Sequence, residues 1–474
     1  MTKYIIGAFG LTCAFAGIAG EQIQPLLPGF HPDPSICRVG SEYYLANSSF
    51  TWYPGIPIYR SKDLQHWKLV GHAASGEDWK SLAKIGSPIS GLWAPTIRHI
   101  NGNFHVICTC YDFDMSKRQR VYRGHFLVSA ENPAGPWSAP KWIKGVGGID
   151  PSLFQDVDGK VYLLTNSGIA KRHVQDQNQI AIWEFDLDKG CVIGEKTRLV
   201  CGLHTRSRWT EGPHLYRMKN GQYLLVVAEG GTGAGHAVTA FLSDEVRGPY
   251  TPCEHNPVIT RRDSPKSPIQ CTGHADLVET PTGEMYAVFL AVRNAYGKGT
   301  SPFGRETFMC PARFDEQAQS LFFDETKFIS GSVDEPRDLV YTCSNQGARL
   351  RRLMSPNECE ERMVHWDGTL RESGLVVERS ELAMLRLVRR KDEVAIVKTH
   401  KNNETTLAQT PCSGAETYLK LTVNAGLIRC YVGESAKECR QLGGEWHYGF
   451  LDGEYAIGAG IGQIDLKDFC QTCR

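Results

Sequence analysis

The sequence predicts an all-β chain, a five-bladed β-propeller followed by a small, shortened β-sandwich. Three observations predict it: a glycine-aromatic pattern that recurs five times at a near-constant interval, an abundance of turn formers and aromatics, and a change of pattern near residue 335. The 474 residues include 48 Gly, 24 Pro, 10 Trp, 18 Tyr and 19 Phe, a mixture suited to many short strands and tight turns. At 41% hydrophobic and 22% charged, the chain can build a packed core.

The repeats run in order along the chain. Each opens with a short strand: Asp33-Pro-Ser-Ile-Cys, Ala94-Pro-Thr-Ile-Arg, Asp150-Pro-Ser-Leu-Phe, Glu211-Gly-Pro-His-Leu and His274-Ala-Asp-Leu-Val. A turn glycine follows, then an aromatic-rich strand such as Gly40-Ser-Glu-Tyr-Tyr-Leu or Gly159-Lys-Val-Tyr-Leu. Gly40, Gly102, Gly159, Gly221 and Gly283 are separated by 62, 57, 62 and 62 residues. Outer-strand turns close several repeats, as at Ala134-Gly-Pro-Trp137 and Arg247-Gly-Pro-Tyr250. An ordinary sandwich has no reason to keep that interval, whereas a ring of four-stranded blades does.

The propeller is therefore expected over 21–335 and a sandwich over 336–474. In the latter, Ser373-Gly-Leu-Val-Val-Glu, Leu382-Ala-Met-Leu-Arg-Leu-Val, Val394-Ala-Ile-Val and Tyr418-Leu-Lys-Leu-Thr-Val read as strands. The Arg- and Glu-rich segment 345–372 reads as a loop or short helix. Residues 1–20, with Lys3 ahead of an uncharged apolar run ending in small residues, read as a secretory signal, which makes the chain a secreted protein.

Charge excludes one large class of function. Lys+Arg and Asp+Glu number 52 each, so the basic surplus of a nucleic-acid binder is missing. No apolar run of 18 uncharged residues suggests a membrane span in the body of the chain. Sixteen Cys in an exported protein predict some disulfides, with Cys412, Cys430, Cys439, Cys470 and Cys473 clustered late. Cys470 and Cys473 form a C-x-x-C without a second pair, which argues against zinc. Asn47-Ser-Ser and Asn403-Glu-Thr fit glycosylation sequons.

The chemistry lies at the repeat starts. Asp33, Asp150 and Glu211 take the same place in repeats one, three and four, and Trp93 and His274 take it in repeats two and five. Equivalent positions of a closed ring face one point, so these five side chains are expected to share a pocket. Crowded, buried carboxyls acquire different pKa values. One protonated and one ionised acid are what hydrolysis of a sugar linkage needs. Phe50 and Trp93 supply aromatic faces for a sugar ring.

Several stretches together carry a family resemblance: Pro28-Gly-Phe-His-Pro-Asp33-Pro-Ser-Ile, Leu92-Trp-Ala-Pro95, Gly148-Ile-Asp150-Pro-Ser-Leu, Trp209-Thr-Glu211-Gly-Pro-His-Leu-Tyr, Ala228-Glu-Gly-Gly-Thr232, Thr272-Gly-His274-Ala-Asp-Leu-Val and Gly304-Arg305-Glu-Thr. The chain resembles glycoside hydrolase family 43, particularly β-xylosidases with a C-terminal sandwich. The resemblance implies Asp33 as general base, Glu211 as general acid and Asp150 as the third acid, which tunes and orients the acid. It implies His274 and Arg305 near the pocket floor, Arg305 touching sugar hydroxyls, and Phe50, Trp93 and Thr232 on the pocket wall. Ile149 departs from the Phe common there, and strands ahead of Gly374 are expected to be missing.

The implied activity is an exo-acting, inverting β-xylosidase taking xylose from the non-reducing end of β-1,4-xylo-oligosaccharides. The rival activity is that of an α-L-arabinofuranosidase, or of a bifunctional enzyme on arabinosylated hemicellulose. The rival of another class is a non-catalytic carbohydrate-binding propeller, which has no reason to keep three acids together. Two carboxyl groups supply both proton transfers, so no metal or cofactor is required, although the family admits a structural Ca²⁺ or a water near His274.

Overall fold

The computed structural model describes residues 23 to 466 apart from short internal stretches, of which the longest are 80–89, 294–302 and 448–459. The expected signal at 1–20, the boundary at 335/336, and Cys470 and Cys473 lie outside the described residues. All regular structure described is strand.

Five antiparallel sheets follow one another along the chain as blades. Their innermost strands are Ser35–Val39, Gly91–Ile100, Ser152–Gln155, Glu211–Arg217 and Ile269–Glu279. Each turns back through its repeat glycine, and all five of these glycines have positive φ, from 60° at Gly40 to 90° at Gly221. That conformation costs glycine little and other residues more, which is why the repeat is visible in the sequence. The strands after the turns are buried on both faces, as along Tyr223–Glu229, because each blade packs between two neighbours.

Five hydrophobic clusters show how the ring closes. Four join successive blades, for example Tyr44, Ile58 and Leu92 with Val106 and Phe126 between the first and second. The fifth joins the last blade to the first, setting Val278, Val288 and Met309 against Leu45, Tyr59 and Trp67. Two backbone seams reinforce this junction. The amides of Leu26 and Leu27 donate to the Thr307 carbonyl, at 2.8 and 3.1 Å. Strand Ser332–Asp334 pairs in parallel with the outer strand of the first blade, from His66 to Lys68.

Beyond the propeller, a seven-stranded sheet packs on a four-stranded one around Leu375, Leu387, Leu419 and Ile428. The expected loop or helix at 345–372 contains strands instead, Gly347–Leu353 and Glu360–Trp366, preceded by Asp338–Cys343. Strands therefore do stand ahead of Gly374, contrary to expectation. Neither Gly347–Leu353 nor Glu360–Trp366 has a strict polar-apolar alternation; each is set by its partner, Gly460–Leu466 for the first and Thr417–Asn424 for the second. Gly460–Leu466 enters the middle of the larger sheet, between Gly347–Leu353 and Glu372–Ser380.

Among the described residues, two expectations drawn from secretion are corrected. Cys37, Cys108, Cys110, Cys253, Cys271 and Cys310 are buried free thiols, and Cys412 and Cys430 are also free. The buried ones serve as small apolar core residues, each an unpaired thiol. Asn47 is fully buried and donates to the Pro32 carbonyl and to Thr307 Oγ1, both at 3.0 Å, so its sequon is no acceptor site in the folded chain.

Candidate active site

The starts of the innermost strands gather at one mouth of the ring. The residues there share an unusual backbone: Asp33, Ala94, Asp150, Gly212 and His274 all have φ between 46° and 57°. This corrects the register expected from sequence. Glu211 and Trp93 stand one residue ahead of the equivalent place, which Gly212 and Ala94 occupy. The left-handed residue bends the chain into the inner strand, so the preceding residue projects differently. Accordingly Asp33, Asp150 and His274 are buried, whereas Glu211 and Trp93 keep some open surface. A non-glycine residue in this conformation costs roughly 1–3 kcal/mol and persists only when its surroundings hold it.

Asp33 is held from both sides. Arg305 Nη1 donates to its Oδ1 at 2.5 Å, and Ser48 donates to its Oδ2 at 2.6 Å. His274 Nδ1 lies 3.6 Å from Oδ1. Burial pushes this carboxyl up, but Arg305, His274 and the Ser48 hydrogen bond outweigh it and leave Asp33 below the ordinary 3.8.

Glu211 has the opposite environment. Burial of its carboxyl, then the negative charges of Asp150 and Asp33, hold it well above the ordinary 4.5, with Arg305 opposing. No described residue donates a hydrogen bond that would stabilise its anion. Asp150 lies between the two extremes, pushed up to about 6, mainly by burial, with His274 opposing and Asp33 adding to the rise. Its Oδ2 accepts the Gly212 amide at 3.1 Å, and its own amide donates to Thr109 Oγ1 at 3.1 Å. Gly212 is required here: a Cβ would come within 2.9 Å of the His274 ring, in a backbone with φ of 57°.

One wall is aromatic. The Phe50 ring centre is 6.0 Å from that of Trp93, which is 4.4 Å from that of Tyr111, and the Arg305 guanidinium lies 5.4 Å from the Phe50 centroid. Phe50 is buried, also has a positive φ of 50°, and exchanges both backbone hydrogen bonds with Leu92 at 3.0 Å. Thr232 is exposed in the loop after Tyr223–Glu229 and has no hydrogen bond to the acids.

The site thus brings together Asp33, Asp150, Glu211, His274 and Arg305, with Phe50 and Trp93 alongside. The model of the glycosyl hydrolases family 43 matches residues 23–318, which take in the inner strands of all five blades.

The chain belongs to glycosyl hydrolase family 43.

Among relatives in family 43, a non-reducing-end α-L-arabinofuranosidase of Bacteroides ovatus is 39% identical over 314 residues, covering 66% of this chain and 56% of that protein. A β-xylosidase of Bacillus subtilis is 37% identical over 315 residues, covering 66% and 57%. These matches span little more than half of each curated relative. A crystal structure of a xylan β-1,4-xylosidase from Bacillus halodurans superposes with a TM-score of 0.80 at 27% identity, covering 94% of this chain and 97% of that one.

Several residues of this family 43 site escaped the sequence reading. Ser48 Oγ also accepts the Ala94 amide at 2.6 Å and so ties the second blade to Asp33. Asn166 takes the role between blades three and four: its amide donates to the Ile149 carbonyl at 3.0 Å and its Nδ2 to the Thr210 carbonyl at 2.7 Å. It therefore holds the residues just before Asp150 and Glu211. The signal was present, since Asn47-Ser48 and Asn166-Ser167 are polar pairs closing apolar second strands.

Deeper in the channel lies a charged hub. Arg98 pairs through both terminal nitrogens with Asp276, at 2.8 and 3.0 Å, and donates to His214 Nδ1 at 3.0 Å. Ser35, the Ile36 amide and the Tyr216 hydroxyl also donate to Asp276. Four blades meet on this one carboxylate. A cavity of about 990 Å³ opens beyond it, at the opposite mouth, lined by Arg38, Gln155, Lys219 and Tyr286 among others and by none of the acids. His274 turns Nδ1 toward Asp33, and among the described residues no group of three His, Cys, Asp or Glu is arranged to hold a metal.

Proposed function

We propose that the chain is an exo-acting, inverting glycoside hydrolase that releases xylose from the non-reducing end of β-1,4-xylo-oligosaccharides. The observation that carries this reading is the contrast between Asp33, kept ionised by Arg305, His274 and Ser48, and Glu211, kept protonated by burial and neighbouring anions. Environments that separate two carboxyl groups in this way assign the base and the acid.

The reaction follows from that assignment. Asp33 takes a proton from a water, whose oxygen attacks the anomeric carbon as the glycosidic bond breaks. Glu211 gives its proton to the leaving oxygen, so the aglycone departs as a neutral alcohol. Asp150, bonded to Gly212 next to Glu211, orients the acid and raises its pKa. Phe50 and Trp93 offer the sugar an aromatic wall, and Arg305 offers its hydroxyl groups a donor. The relatives named as β-xylosidases support the substrate class.

A second reading, α-L-arabinofuranosidase or bifunctional activity on arabinosylated hemicellulose, is favoured by the Bacteroides ovatus relative. Rates on nitrophenyl β-xyloside and nitrophenyl α-L-arabinofuranoside separate the two. Faster turnover of the arabinofuranoside would replace the first reading by the second, and turnover of neither would leave a binding propeller.

A further inference from the structure

The segment that delivers Arg305 to Asp33 is gripped at both ends. Downstream, Glu306 is fully buried, accepts from Arg293 at 2.6 and 2.8 Å, and accepts the Gly29 amide at 2.6 Å. Upstream, Phe303 packs against the hydrophobic cluster of the sandwich, the one built on Leu375, Leu387 and Leu419. The Arg293 guanidinium that pairs with Glu306 also lies over the Phe303 ring, 4.8 Å from its centre. Only Gly304, with φ of 70°, separates Phe303 from Arg305.

Arg305 itself lies just beyond the last rung of its strand, where Glu306 pairs with Ala291. The His31 amide holds its carbonyl at 3.0 Å, but its amide side follows from Gly304. A glycine alone does not fix that direction. The next anchor is Phe303, clamped between the sandwich core and Arg293.

We propose that Phe303 is a positioning residue through which the C-terminal sandwich holds Arg305 against Asp33. The proposal rests on the glycosidase reading above, with Asp33 as base. Loosening Phe303 lets Arg305 draw back from Asp33. The base is then less stabilised as an anion, and the acid limb of the pH profile moves to higher pH.

The test is the pH dependence of kcat and KM for the full chain and for Phe303→Tyr, Phe303→Leu and Phe303→Ala. It uses whichever nitrophenyl pentoside the wild type hydrolyses, with thermal unfolding recorded alongside. Phe303→Ala is expected to lower kcat by about 10- to 100-fold, the scale of a small misplacement transmitted to a reacting group, and to move the acid limb upward. Phe303→Tyr keeps the ring and the wild-type profile, and Phe303→Leu falls between them. Leu387→Ala, which loosens the sandwich cluster, moves the limb in the same direction. If Phe303→Ala folds poorly, Phe303→Leu and Leu387→Ala carry the test. An active wild type whose variants keep its acid limb in place overturns this proposal alone. A wild type that hydrolyses no pentoside overturns it together with the glycosidase reading.

Discussion

The Gly212 amide donates to Asp150 Oδ2 at 3.1 Å, so the third acid grips the backbone one residue from Glu211. This bond joins blades three and four at the mouth of the ring. It places the Asp150 charge where it raises the Glu211 pKa without a direct bond to that carboxyl.

Asp150→Asn should therefore move the alkaline limb of kcat/KM to lower pH. Glu211 is raised first by burial and then by the charge of Asp150, and the amide removes that charge. Asp150 contributes fully only above its own pKa of about 6, so the change is largest in neutral solution. The measurement is a pH–rate profile, and an unmoved alkaline limb contradicts the arrangement.

Asp33→Ala should lower activity on xylobiose and on nitrophenyl xyloside alike, by about 10²–10⁴-fold or more, because water attack needs the base whatever the leaving group. It also leaves the Arg305 charge buried without its carboxylate, so unfolding should be measured with the rates. Near-wild-type turnover would remove Asp33 from its role.

Glu211→Ala should discriminate between substrates. Xylobiose, with a poor leaving group, should lose far more rate than nitrophenyl xyloside, whose leaving group departs without protonation. Steady-state kinetics on the two substrates decide it, and equal losses would speak against the acid.

Stereochemistry offers an independent check. Asp33 and Glu211 come from blades one and four, which are not neighbours in a ring of five. A water can then stand between base and sugar, as inversion requires with carboxyls roughly 6.5–9.5 Å apart. Proton NMR of the first product should show α-xylose released from a β-xyloside. Initial β-xylose would mean retention and end the assignment of Asp33.

Asp276→Asn should destabilise the fold rather than change the chemistry directly. It leaves Arg98 buried and only partly paired, at a cost of about 3–5 kcal/mol. Burial raises the Asp276 pKa, but Arg98, His214 and the hydrogen bonds from Arg98 and Tyr216 depress it below the ordinary 3.8 overall. Its contribution is therefore complete above an unfolded pKa of about 3.9 and fades as pH falls below it. Urea unfolding of the wild type should show this loss in acid, and the variant should lack that part of the slope.

The five-fold ring was legible in one dimension because its turns need glycine. Gly40, Gly102, Gly159, Gly221 and Gly283 all adopt positive φ, and a local backbone requirement leaves its mark on the residue in place. The acids were legible for a related reason, since Asp33, Asp150 and Glu211 sit beside those repeat starts. The sandwich was less legible ahead of Gly374, where dense Arg and Glu resembled a loop and no regular alternation marked the strands.

Register and environment were settled only by closing the ring. Sequence spacing left Glu211 level with Asp33, and the shared left-handed residue placed Gly212 there instead. Nor could spacing show that Arg305, 272 residues from Asp33, would supply its counter-charge, or that Ser48 and Asn166 would tie neighbouring blades. A residue's identity states what it can donate or accept. Its pKa depends on burial and on charges brought close from other blades, and those distances exist only in the folded chain.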